Sequence, residues 1–402
     1  MTAEDCPSVL YYADIHAPEV TKLRAIKRNY SAAGTSKVLA IAAGLNENGY
    51  SVRIISPASV CERAGGIHPR HHEVVERRRH PTSIVSVSNI DNRLLRPFWS
   101  FCAVAAELWT TLRHARPDLV IVYNLSLESL LIGISARLKN IPVVLEYEDS
   151  ATTFRTGRGW RLKSVFRLYE IIFGFLADMV FAPSETLART VKSQRSLHIA
   201  GVLGGDITKD RAFSRTDDAG PAPGRGVRLI YAGGIDRSKG IVDFVRTLDQ
   251  VDRKIELDIY GGGPEVSALE DAIRGSRHRV RFHGMVPRSE LLLAMCSADM
   301  AIDPHHPEMH AGGSWPFKVI EYLGTCGTVL TSSYRDAPAD IRPHLFPLDV
   351  LDRKVCAEQI AAYVDQAEAL AHSREQRIAA AHQLYSAASV ASRILDLVRR
   401  RV

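Results

Sequence analysis

The sequence predicts an α/β protein built from two doubly wound domains in tandem. With 402 residues, the chain exceeds the size at which one hydrophobic core usually keeps growing. Short β-rich runs alternate with helical patterns on both sides of its middle, and a stretch rich in proline, glycine and charge interrupts this alternation. We therefore predict an N-terminal domain over residues 1–205, a linker over 206–226 and a C-terminal domain over 227–375. A C-terminal helix over 376–402 follows, and packing against the N-terminal domain is one option for it.

Five runs in the N-terminal part are predicted to be strands because they are short and rich in β-branched and aromatic residues. They are Ser8–Ile15, Val52–Ser56, Asp118–Tyr123, Val143–Glu148 and Met179–Ala182. The amphipathic segments Lys37–Asn48 and Leu127–Lys139 are predicted to be helices. Nearly continuous apolar runs such as residues 119–122 are typical of strands covered on both faces, so a parallel sheet is expected.

A second alternation follows the linker. Its predicted strands are Val227–Ala232, Ile255–Tyr260, Val280–His283, Met300–Asp303 and Thr328–Thr331. Its helices are predicted to begin near Lys239, Pro264, Pro287 and Pro316, and proline suits a first helical turn because its missing N–H needs no partner there. From about Asp352 to Val402 the pattern is helical. Ligands of open α/β sheets bind outside the carboxyl ends of the strands, so a cleft between the two domains is the expected active site.

Composition and charge narrow the classes of function. With 46% hydrophobic and 24% charged residues, the chain fits an ordinary soluble globule. It has no stretch of about 18 apolar residues and carries acids near its start, so we expect a cytoplasmic protein that spans no membrane. Six scattered cysteines form no C-x-x-C pattern, which predicts neither a metal site nor a disulfide framework. The net charge of +6 is compatible with nucleic acid, an acidic membrane surface or a phosphorylated substrate, and equally with solubility alone.

The strongest local signal is the segment 311–330, in which small residues precede a helix start. Small residues let backbone N–H groups approach a ligand, and a helix N-terminus offers unpaired donors to a phosphate. Lys318 and Glu321 share one helix face, where a cation could meet phosphate and a carboxylate could accept hydrogen bonds from ribose hydroxyls. The alternative is an exposed Lys/Glu pair on an amphipathic helix. The remaining residues of this predicted diphosphate seat are Gly312, Gly313, Ser314 and Phe317.

Two further strand ends carry glycine turns. The run Tyr231–Gly240 passes from a strand through Gly233 and Gly234 into a helix, with Arg237 and Lys239 at its mouth. A strand, a glycine turn and cations suit phosphate binding because nothing bulky blocks the backbone. The run Ile259–Glu265, which contains Gly262, ends another strand at the same edge and in isolation is more typical of a tight turn.

Together these segments resemble the retaining glycosyltransferases of family 4, whose GT-B fold places two Rossmann-like domains face to face across a cleft. The resemblance covers the C-terminal half. It is carried by the strand-Gly-Gly-x(4)-Lys-Gly pattern at 231–240, Tyr-Gly-Gly-Gly-Pro-Glu at 260–265, Phe-His-Gly-Met-Val-Pro at 282–287, Ala-Asp-Met-Ala-Ile-Asp-Pro at 298–304 and Pro-Phe-Lys-Val-Ile-Glu-Tyr-Leu-Gly at 316–324. In the looser N-terminal half, residues 29–38 are similar to the acceptor-side glycine loop of that family, which points to Gly34 and Thr35.

The resemblance implies roles for individual residues. Lys239 matches the lysine on the donor diphosphate, Glu321 matches the second glutamate of the family's Glu, seven residues, Glu motif, and Met285 and Val286 match the backbone that meets the base. Two positions depart from the pattern. The first glutamate falls at Gly313, for which Glu308 or His310 could substitute. An arginine that often follows the first strand glycine falls at Gly234, and Arg237 could replace it.

On the acceptor side, Glu146, Glu148 and Asp149 place three carboxylates in four residues at a strand end. Crowded acids repel one another unless cations or substrate hydroxyls compensate, which is more typical of a site than of a core. We therefore predict Glu146 and Glu148 as acceptor ligands, and Glu148, Asp149 and Lys239 as catalytic residues. Many family members carry a histidine at this point that the chain lacks. The alternative is that the acids cap the next helix and pair with arginines that follow.

Basic residues mixed with large apolar ones occur at 93–101 and 160–169. Such segments favour an anionic membrane surface, which suits a lipid-linked acceptor and peripheral attachment to the inner face of the membrane. Alternatively, Phe98, Trp99, Val165 and Leu168 belong to the core and the cations are solvated flanks.

We therefore expect a sugar to move from a nucleoside diphosphate sugar to a hydroxyl of a glycan or lipid-linked acceptor in polysaccharide or glycolipid synthesis. Retention is implied by the resemblance, and no cofactor beyond the sugar nucleotide is expected. The alternatives are another GT-B enzyme of sugar nucleotides, such as an epimerase or a phosphorylase, and a non-catalytic partner that binds them. Nucleic-acid binding is not expected, because the sequence lacks helix-turn-helix, zinc and aromatic-stacking signatures.

Overall fold

A computed structural model describes residues 6–24, 32–60, 66–75, 80–148, 159–193, 195–207, 226–307 and 315–399. The chain divides into two compact units. Unit 1 comprises Met1–Gly204 together with Ser386–Val402, and unit 2 comprises Gly205–Tyr385. Most of the predicted linker, residues 208–225, lies outside the described residues.

Unit 1 contains an eight-stranded sheet. Its strands follow the order β10-β9-β8-β7-β1-β2-β5-β4, and all neighbours are parallel except β4, which runs antiparallel to β5. A small antiparallel pair, β3 with β6, lies apart from it. The strands are β1 Ser8–Tyr12, β2 Ser51–Ser56, β3 Ile67–His68, β4 His71–Val75, β5 Thr82–Ser86, β6 Asn89–Ile90, β7 Leu119–Tyr123, β8 Val143–Glu146, β9 Met179–Ala182 and β10 Ser196–His198.

Helices cover the sheet of unit 1. They are α1 Pro18–Leu23, α2 Ala32–Glu47, α3 Arg96–His114, α4 Leu127–Leu138, α5 Gly159–Leu176 and α6 Glu185–Thr190. Buried residues of α3, α4 and α5, such as Val104, Ile132 and Phe173, join strand residues in one apolar core. These three helices therefore form one layer. Among the described residues, no helix is long and apolar enough to cross a membrane.

Unit 2 contains a six-stranded parallel sheet in the order β13-β12-β11-β14-β15-β16. Its strands are β11 Val227–Ala232, β12 Ile255–Tyr260, β13 Arg279–Gly284, β14 Met300–Asp303, β15 Val329–Thr331 and β16 Leu345–Pro347. Its helices are α7 Ile241–Leu248, α8 Val266–Gly275, α9 Arg288–Ser297, α10 Lys318–Thr325, α11 Arg353–Asp365, α12 Ala367–His372 and α13 Arg374–Tyr385. Short 3₁₀ segments occur at Arg237–Lys239, Ser332–Asp336 and Arg342–His344.

The last helix, α14 Ala387–Arg399, belongs to unit 1. The Asn48 side chain at the end of α2 donates to the carbonyl of Ala388 over 3.0 Å. Arg195 donates to the carbonyl of Leu397 over 2.8 Å, and Arg393 donates to the carbonyl of His198 over 3.1 Å. The compact unit 2 therefore extends through α13, ten residues beyond the predicted boundary at 375.

The two parallel sheets confirm the predicted α/β class and its two Rossmann-like domains. Every predicted strand is present, and four of them have the predicted bounds. The sequence patterns missed β4, β5, β10 and β16, together with the short pair β3 and β6. β4 is an edge strand with the polar sequence HHEVV, and β10 and β16 have only three residues each, so none has a long apolar run. α2 begins five residues before the predicted start at Lys37.

Two glycines of unit 2 share one backbone conformation but differ in their surroundings. Gly240, before α7, has φ +67°, and a Cβ added there would lie 2.0 Å from the Pro304 carbonyl oxygen. Gly284, at the end of β13, has φ +68°, and nothing lies within 4 Å of a Cβ added there. The contact at Gly240 therefore brings the loop after β11 against the loop after β14.

We predict that Gly240→Ala destabilises the protein more than Gly284→Ala. Both variants carry the same cost of a positive φ, but only the first adds a steric clash with backbone, which is expected to lower the free energy of unfolding by about 1 to 3 kcal/mol more. Urea denaturation of both variants and the parent measures the difference. Equal shifts of the two midpoints would contradict the close approach of these loops.

Candidate active site

The strand order of unit 2 reverses between β11 and β14, and ligands of doubly wound sheets bind at such a point. The turn Gly233-Gly234 follows β11 there. Tyr231 donates its hydroxyl to the carbonyl of Gly234 over 2.6 Å. The Tyr322 hydroxyl accepts from the N–H of Ala232 over 2.7 Å and donates to the carbonyl of the same residue over 2.9 Å. These two buried tyrosines fix the glycine turn at the strand end.

Lys318, the first residue of α10, lies against this turn. A Cβ on Gly233 would lie 3.4 Å from the Lys318 Nζ, so glycine leaves room for the ammonium group. Nζ lies 3.3 Å from Oδ1 of Asp303 and 4.0 Å from the centre of the Tyr231 ring, a cation–π contact. Among the described residues, Nζ has no hydrogen bond of regular geometry, so its protons remain available to a ligand.

Asp303, the last residue of β14, holds the lysine in place. Its carboxylate is fully buried and accepts hydrogen bonds from His305 Nδ1, from Thr331 Oγ1 over 2.9 Å and from Ser333 Oγ over 3.3 Å. Burial alone would raise the pKa of the Asp303 carboxyl, but His305 and Lys318 beside it hold that pKa well below its usual range. Asp303 is therefore an anion that fixes Lys318 and His305.

The lysine itself is only weakly basic. Burial lowers the pKa of the Lys318 ammonium to about 8, because the attraction of Asp303 compensates only in part and Lys239 nearby adds repulsion. Burial also lowers the pKa of the His305 imidazole, although Asp303 opposes that shift. An anion that entered this site would remove the electrostatic conflict between the two lysines.

Arg237 and Lys239 lie in the 3₁₀ segment after the glycine turn. The segment begins at Asp236, whose side chain accepts from the N–H of Ser238 over 2.9 Å. Within the described parts of the chain, neither cation forms an ion pair, so both remain available to a bound anion. Three cations, Lys318, Arg237 and Lys239, thus follow the ends of β11 and β14.

Glu321 lies one turn into α10 and is held by a residue that the sequence patterns missed. Arg288, the first residue of α9, donates to Oε1 of Glu321 over 2.5 Å and to Asp206 over 2.9 Å. The Glu321 side chain is 13% exposed. The ion pair orients one carboxylate oxygen, and the other oxygen remains available to accept a hydrogen bond.

The remaining predicted donor residues also follow strands of this sheet. Gly262 lies after β12, and a Cβ there would be 3.7 Å from Cγ of Met285, which follows β13 together with Val286. Met285 is 83% exposed, unusual for a large apolar side chain. Phe317 is the N-cap of α10. Gly312, Gly313 and Ser314 lie outside the described residues, as do Glu308 and His310.

A second cluster lies at the carboxyl end of the strands of unit 1. Lys37 of α2 lies 2.9 Å from Oε1 of Glu146 and forms a shorter ion pair with Glu148. Tyr11 of β1 donates its hydroxyl to Glu146, and the ring of Phe181 lies 5.7 Å from the Lys37 ammonium. Burial would lower the pKa of the Lys37 ammonium, but the two carboxylates hold it above its usual range.

The structure separates the roles of the three acids at the end of β8. Glu146 is fully buried, which differs from the expectation that it contacts an acceptor. Its position in β8 turns the side chain into the interior, where it supports Lys37. Glu148 lies beyond the strand with its side chain 18% exposed, and its N–H donates to Oδ1 of Asn124 over 2.7 Å. Asp149 lies outside the described residues.

Gly34 and Thr35 lie in the first turn of α2, where the resemblance predicts a loop. The helix begins at Ala32, and both residues are half-buried one turn before Lys37. They therefore lie on the same helix as the lysine that meets Glu148.

Sequence reasoning missed the residues that support the site. Lys37 and Asp303 occur within segments that carried the resemblance, but no local pattern distinguished them. His305 follows Asp303 by two residues, which is a weak signal for a buried pair at a strand end. Nothing local pointed to Arg288, because its partner Glu321 is 33 residues away in the sequence.

The fold is that of the GT-B glycosyltransferases. The family described as "Glycosyl transferase 4-like domain" matches residues 34–196, and "Glycosyl transferases group 1" matches residues 226–373. Together the two matches cover more than three quarters of the chain, which therefore belongs to the glycosyltransferases that combine these domains. Among curated proteins, no sequence matches the chain.

Solved structures agree on the fold over nearly the full length. An α,α-trehalose-phosphate synthase (UDP-forming) from Burkholderia xenovorans, in complex with glucose-6-phosphate, is 11% identical with a TM-score of 0.63, covering 97% of this chain and 99% of that one. HepE from Anabaena, in complex with UDP and glucose, is 14% identical with a TM-score of 0.59, covering 98% and 100%. A trehalose-6-phosphate synthase studied for glycosyl transfer with retention is 12% identical with a TM-score of 0.60, covering 97% and 99%.

The lowered pKa of Lys318 leads to a pH-dependent prediction. If the protonated lysine binds a nucleoside diphosphate, affinity should fall about tenfold between pH 7 and pH 9, because the protonated fraction falls as the pH passes the pKa of about 8. The charged neighbours that shift this pKa are Asp303, Lys239 and Asp236. Calorimetric titrations across this range measure the affinity.

Lys318→Arg is the matched control, because arginine stays charged and the ionisation of the nucleotide is common to both proteins. The variant should show a flatter profile than the parent. Parallel profiles would remove Lys318 from the binding of the diphosphate.

Proposed function

We propose that this protein transfers a sugar from a nucleoside diphosphate sugar to a hydroxyl of a glycan or lipid-linked acceptor, with retention of anomeric configuration. The observation that carries the donor class is the buried Lys318 ammonium, which forms no hydrogen bond of regular geometry among the described residues, beside the Gly233-Gly234 turn at the reversal of strand order. Such a pocket suits a diphosphate because glycine admits the backbone and the cations offset the charge. The UDP and glucose bound in HepE support the same class.

The leaving diphosphate gains negative charge as the bond to the sugar breaks. Lys318, Arg237 and Lys239 lie where they would stabilise this charge, and the N-terminus of α10 adds the positive end of its dipole. Asp303 keeps Lys318 in position without neutralising it completely. In this proposal the protein's contribution is electrostatic, and no metal ion takes part.

The acceptor side is proposed to lie at the Lys37 cluster of unit 1. Glu148 reaches the surface, so its carboxylate would accept a hydrogen bond from the acceptor hydroxyl, with Lys37 and buried Glu146 fixing its position. Retention is supported by the family resemblance and by the trehalose-6-phosphate synthase studied for transfer with retention.

For the donor side we predict that Glu321→Ala weakens nucleoside diphosphate binding by about 10- to 150-fold, since hydrogen bonds to a charged group contribute about 1.5 to 3 kcal/mol. A 2′,3′-dideoxy analogue lacks the ribose hydroxyls, so its affinity should be the same for variant and parent. Calorimetry with UDP and its dideoxy analogue measures both.

Glu270→Ala is the control, because Glu270 is an exposed glutamate of α8 in the same unit. It should bind both ligands as the parent does. If Glu321→Ala also bound UDP as the parent does, the ribose would not lie at Glu321. A loss of affinity for both ligands would point instead to a general collapse of the site after Arg288 loses its partner.

For the acceptor side we predict that Glu148→Gln reduces the rate of sugar transfer at least about tenfold while nucleotide affinity stays within about twofold, because the change removes the charge that would bind the acceptor hydroxyl and pair with Lys37, both in unit 1. Glu185→Gln, an exposed glutamate of α6, should leave both unchanged. Release of nucleoside diphosphate with and without acceptor measures the reaction. A parallel loss of nucleotide affinity would place Glu148 in the donor site.

A further inference from the structure

Helix α3 presents an uncharged stripe to solvent. Between residues 97 and 112 its single charged residue is Glu107, which is buried against Arg53 and Arg70 with nitrogen–oxygen distances of 2.6 and 2.8 Å. On the opposite side of the helix, Phe98 is 72% exposed and Trp109 is 63% exposed, with Cys102 exposed on the same stripe between them. These two exposed aromatic residues lie three turns apart on one helix face and do not contribute to the buried core.

The neighbouring helices of the same layer repeat this pattern. On α4 the exposed apolar residues follow helical spacing at Leu127, Ile134 and Leu138, and on α5 they do so at Leu168, Ile171 and Phe175. Leu138 and Phe175 are about four-fifths exposed, at 80% and 81%. Because α3, α4 and α5 pack side by side in one layer, their stripes form one surface, called the apolar face below. The alternative prediction that Phe98, Trp99, Val165 and Leu168 belong to the core is wrong for Phe98, Val165 and Leu168, which are exposed, whereas Trp99 is half-buried.

The charges around the apolar face have one sign. The three helices contain three acids, and each is bonded within the protein: Glu107 to the arginines above, Glu128 to Ser100 and Glu170 to Tyr147. None of the three is exposed. Exposed cations on these helices and beside their ends include Arg93, Arg113, Arg116, Lys139 and Arg167. Arg113 also stacks on the exposed ring of Trp109 at 4.8 Å.

The combination of exposed cations and exposed apolar side chains distinguishes between the partners that could bind the apolar face. A second copy of the chain on the same face would bring two cationic rims together without exposed acids to pair with them. A surface of anionic lipid supplies negative charge for every cation and an apolar layer for the aromatic and leucine side chains. Arginine and lysine at the rim can extend toward headgroups while their stems lie on apolar surface.

We infer that the apolar face of α3, α4 and α5 docks on an anionic phospholipid surface. The side chains of Phe98, Trp109, Leu138 and Phe175 enter the boundary between headgroups and acyl chains, and the cations contact lipid phosphates. The docking itself stands independently of catalysis. Its consequence for the acceptor, that the sugar is added to a lipid-linked molecule, rests on the proposed function.

Co-sedimentation with phosphatidylcholine vesicles, with and without phosphatidylglycerol, tests the docking. The parent should bind the anionic vesicles at low salt and dissociate as salt screens the cations. Phe175→Glu and Trp109→Glu should each weaken binding about tenfold or more. Each change removes an aromatic side chain that would enter the lipid and adds a negative charge that the anionic headgroups repel. Arg113→Gln with Arg167→Gln should weaken binding to anionic vesicles alone.

Leu351→Glu is the matched control, because Leu351 is an exposed leucine of unit 2 and does not belong to the apolar face. It should bind vesicles as the parent does. Nucleoside diphosphate affinity reports that each variant is folded and that its unit 2 is intact. Vesicle binding without sugar transfer would support the docking and remove the proposed function, whereas transfer without vesicle binding would do the reverse.

Three outcomes would overturn the inference. The first is equal binding of the parent to neutral and anionic vesicles. The second is unchanged vesicle binding by the variants of the apolar face. The third is a parent that sediments as a dimer while Phe175→Glu is a monomer, which would make the face a contact between copies of the chain.

Discussion

The buried carboxylate of Asp303 is the constraint on which the candidate donor site of unit 2 depends. A carboxylate without access to water costs several kcal/mol unless it is paired and hydrogen-bonded. Here the partners come from three places in the chain: His305 after the strand, Thr331 and Ser333 at the end of the neighbouring strand, and Lys318 from α10. Satisfying one anion therefore fixes the start of α10 against the sheet. The glycine turn after β11 then lies beside the lysine.

Each unit contains a buried ion pair between a lysine and a carboxylate, but the pKa of the lysine shifts in opposite directions in the two units. In each, a lysine from a helix meets a buried carboxylate at a strand end and lies near an aromatic ring: Lys318 near Tyr231, and Lys37 near Phe181. Lys37 contacts two carboxylates, which raise the pKa of its ammonium group and balance its positive charge. Lys318 meets one carboxylate and a second lysine, so its pKa falls. The positive charge of Lys37 is therefore balanced within the protein. The positive charge of Lys318 is balanced only in part, so a bound anion would stabilise it.

The layer of α3, α4 and α5 shows how one set of helices can serve the core and a surface at once. The inward residues help to build an apolar cluster of unit 1, while many of the outward residues are also apolar. A helix in a soluble globular protein usually carries polar residues on its outer face. Because Glu107 and Glu170 are buried, they add no negative charge to the apolar outer surface of these helices.

The sequence by itself determined the fold class and ten strands of the two sheets, because apolar runs and helical periodicity are local properties. It also determined which strand ends carry glycine turns and cations, since the carboxyl ends of parallel strands share one edge. Only the tertiary structure decided which partners complete the site. Three ion pairs of the two clusters join residues that are far apart in the sequence or on separate elements. They are Lys37 with Glu146, Lys318 with Asp303 and Arg288 with Glu321. Burial likewise depends on tertiary packing. Only the folded structure therefore shows that Glu146 is buried and that Phe98 is exposed.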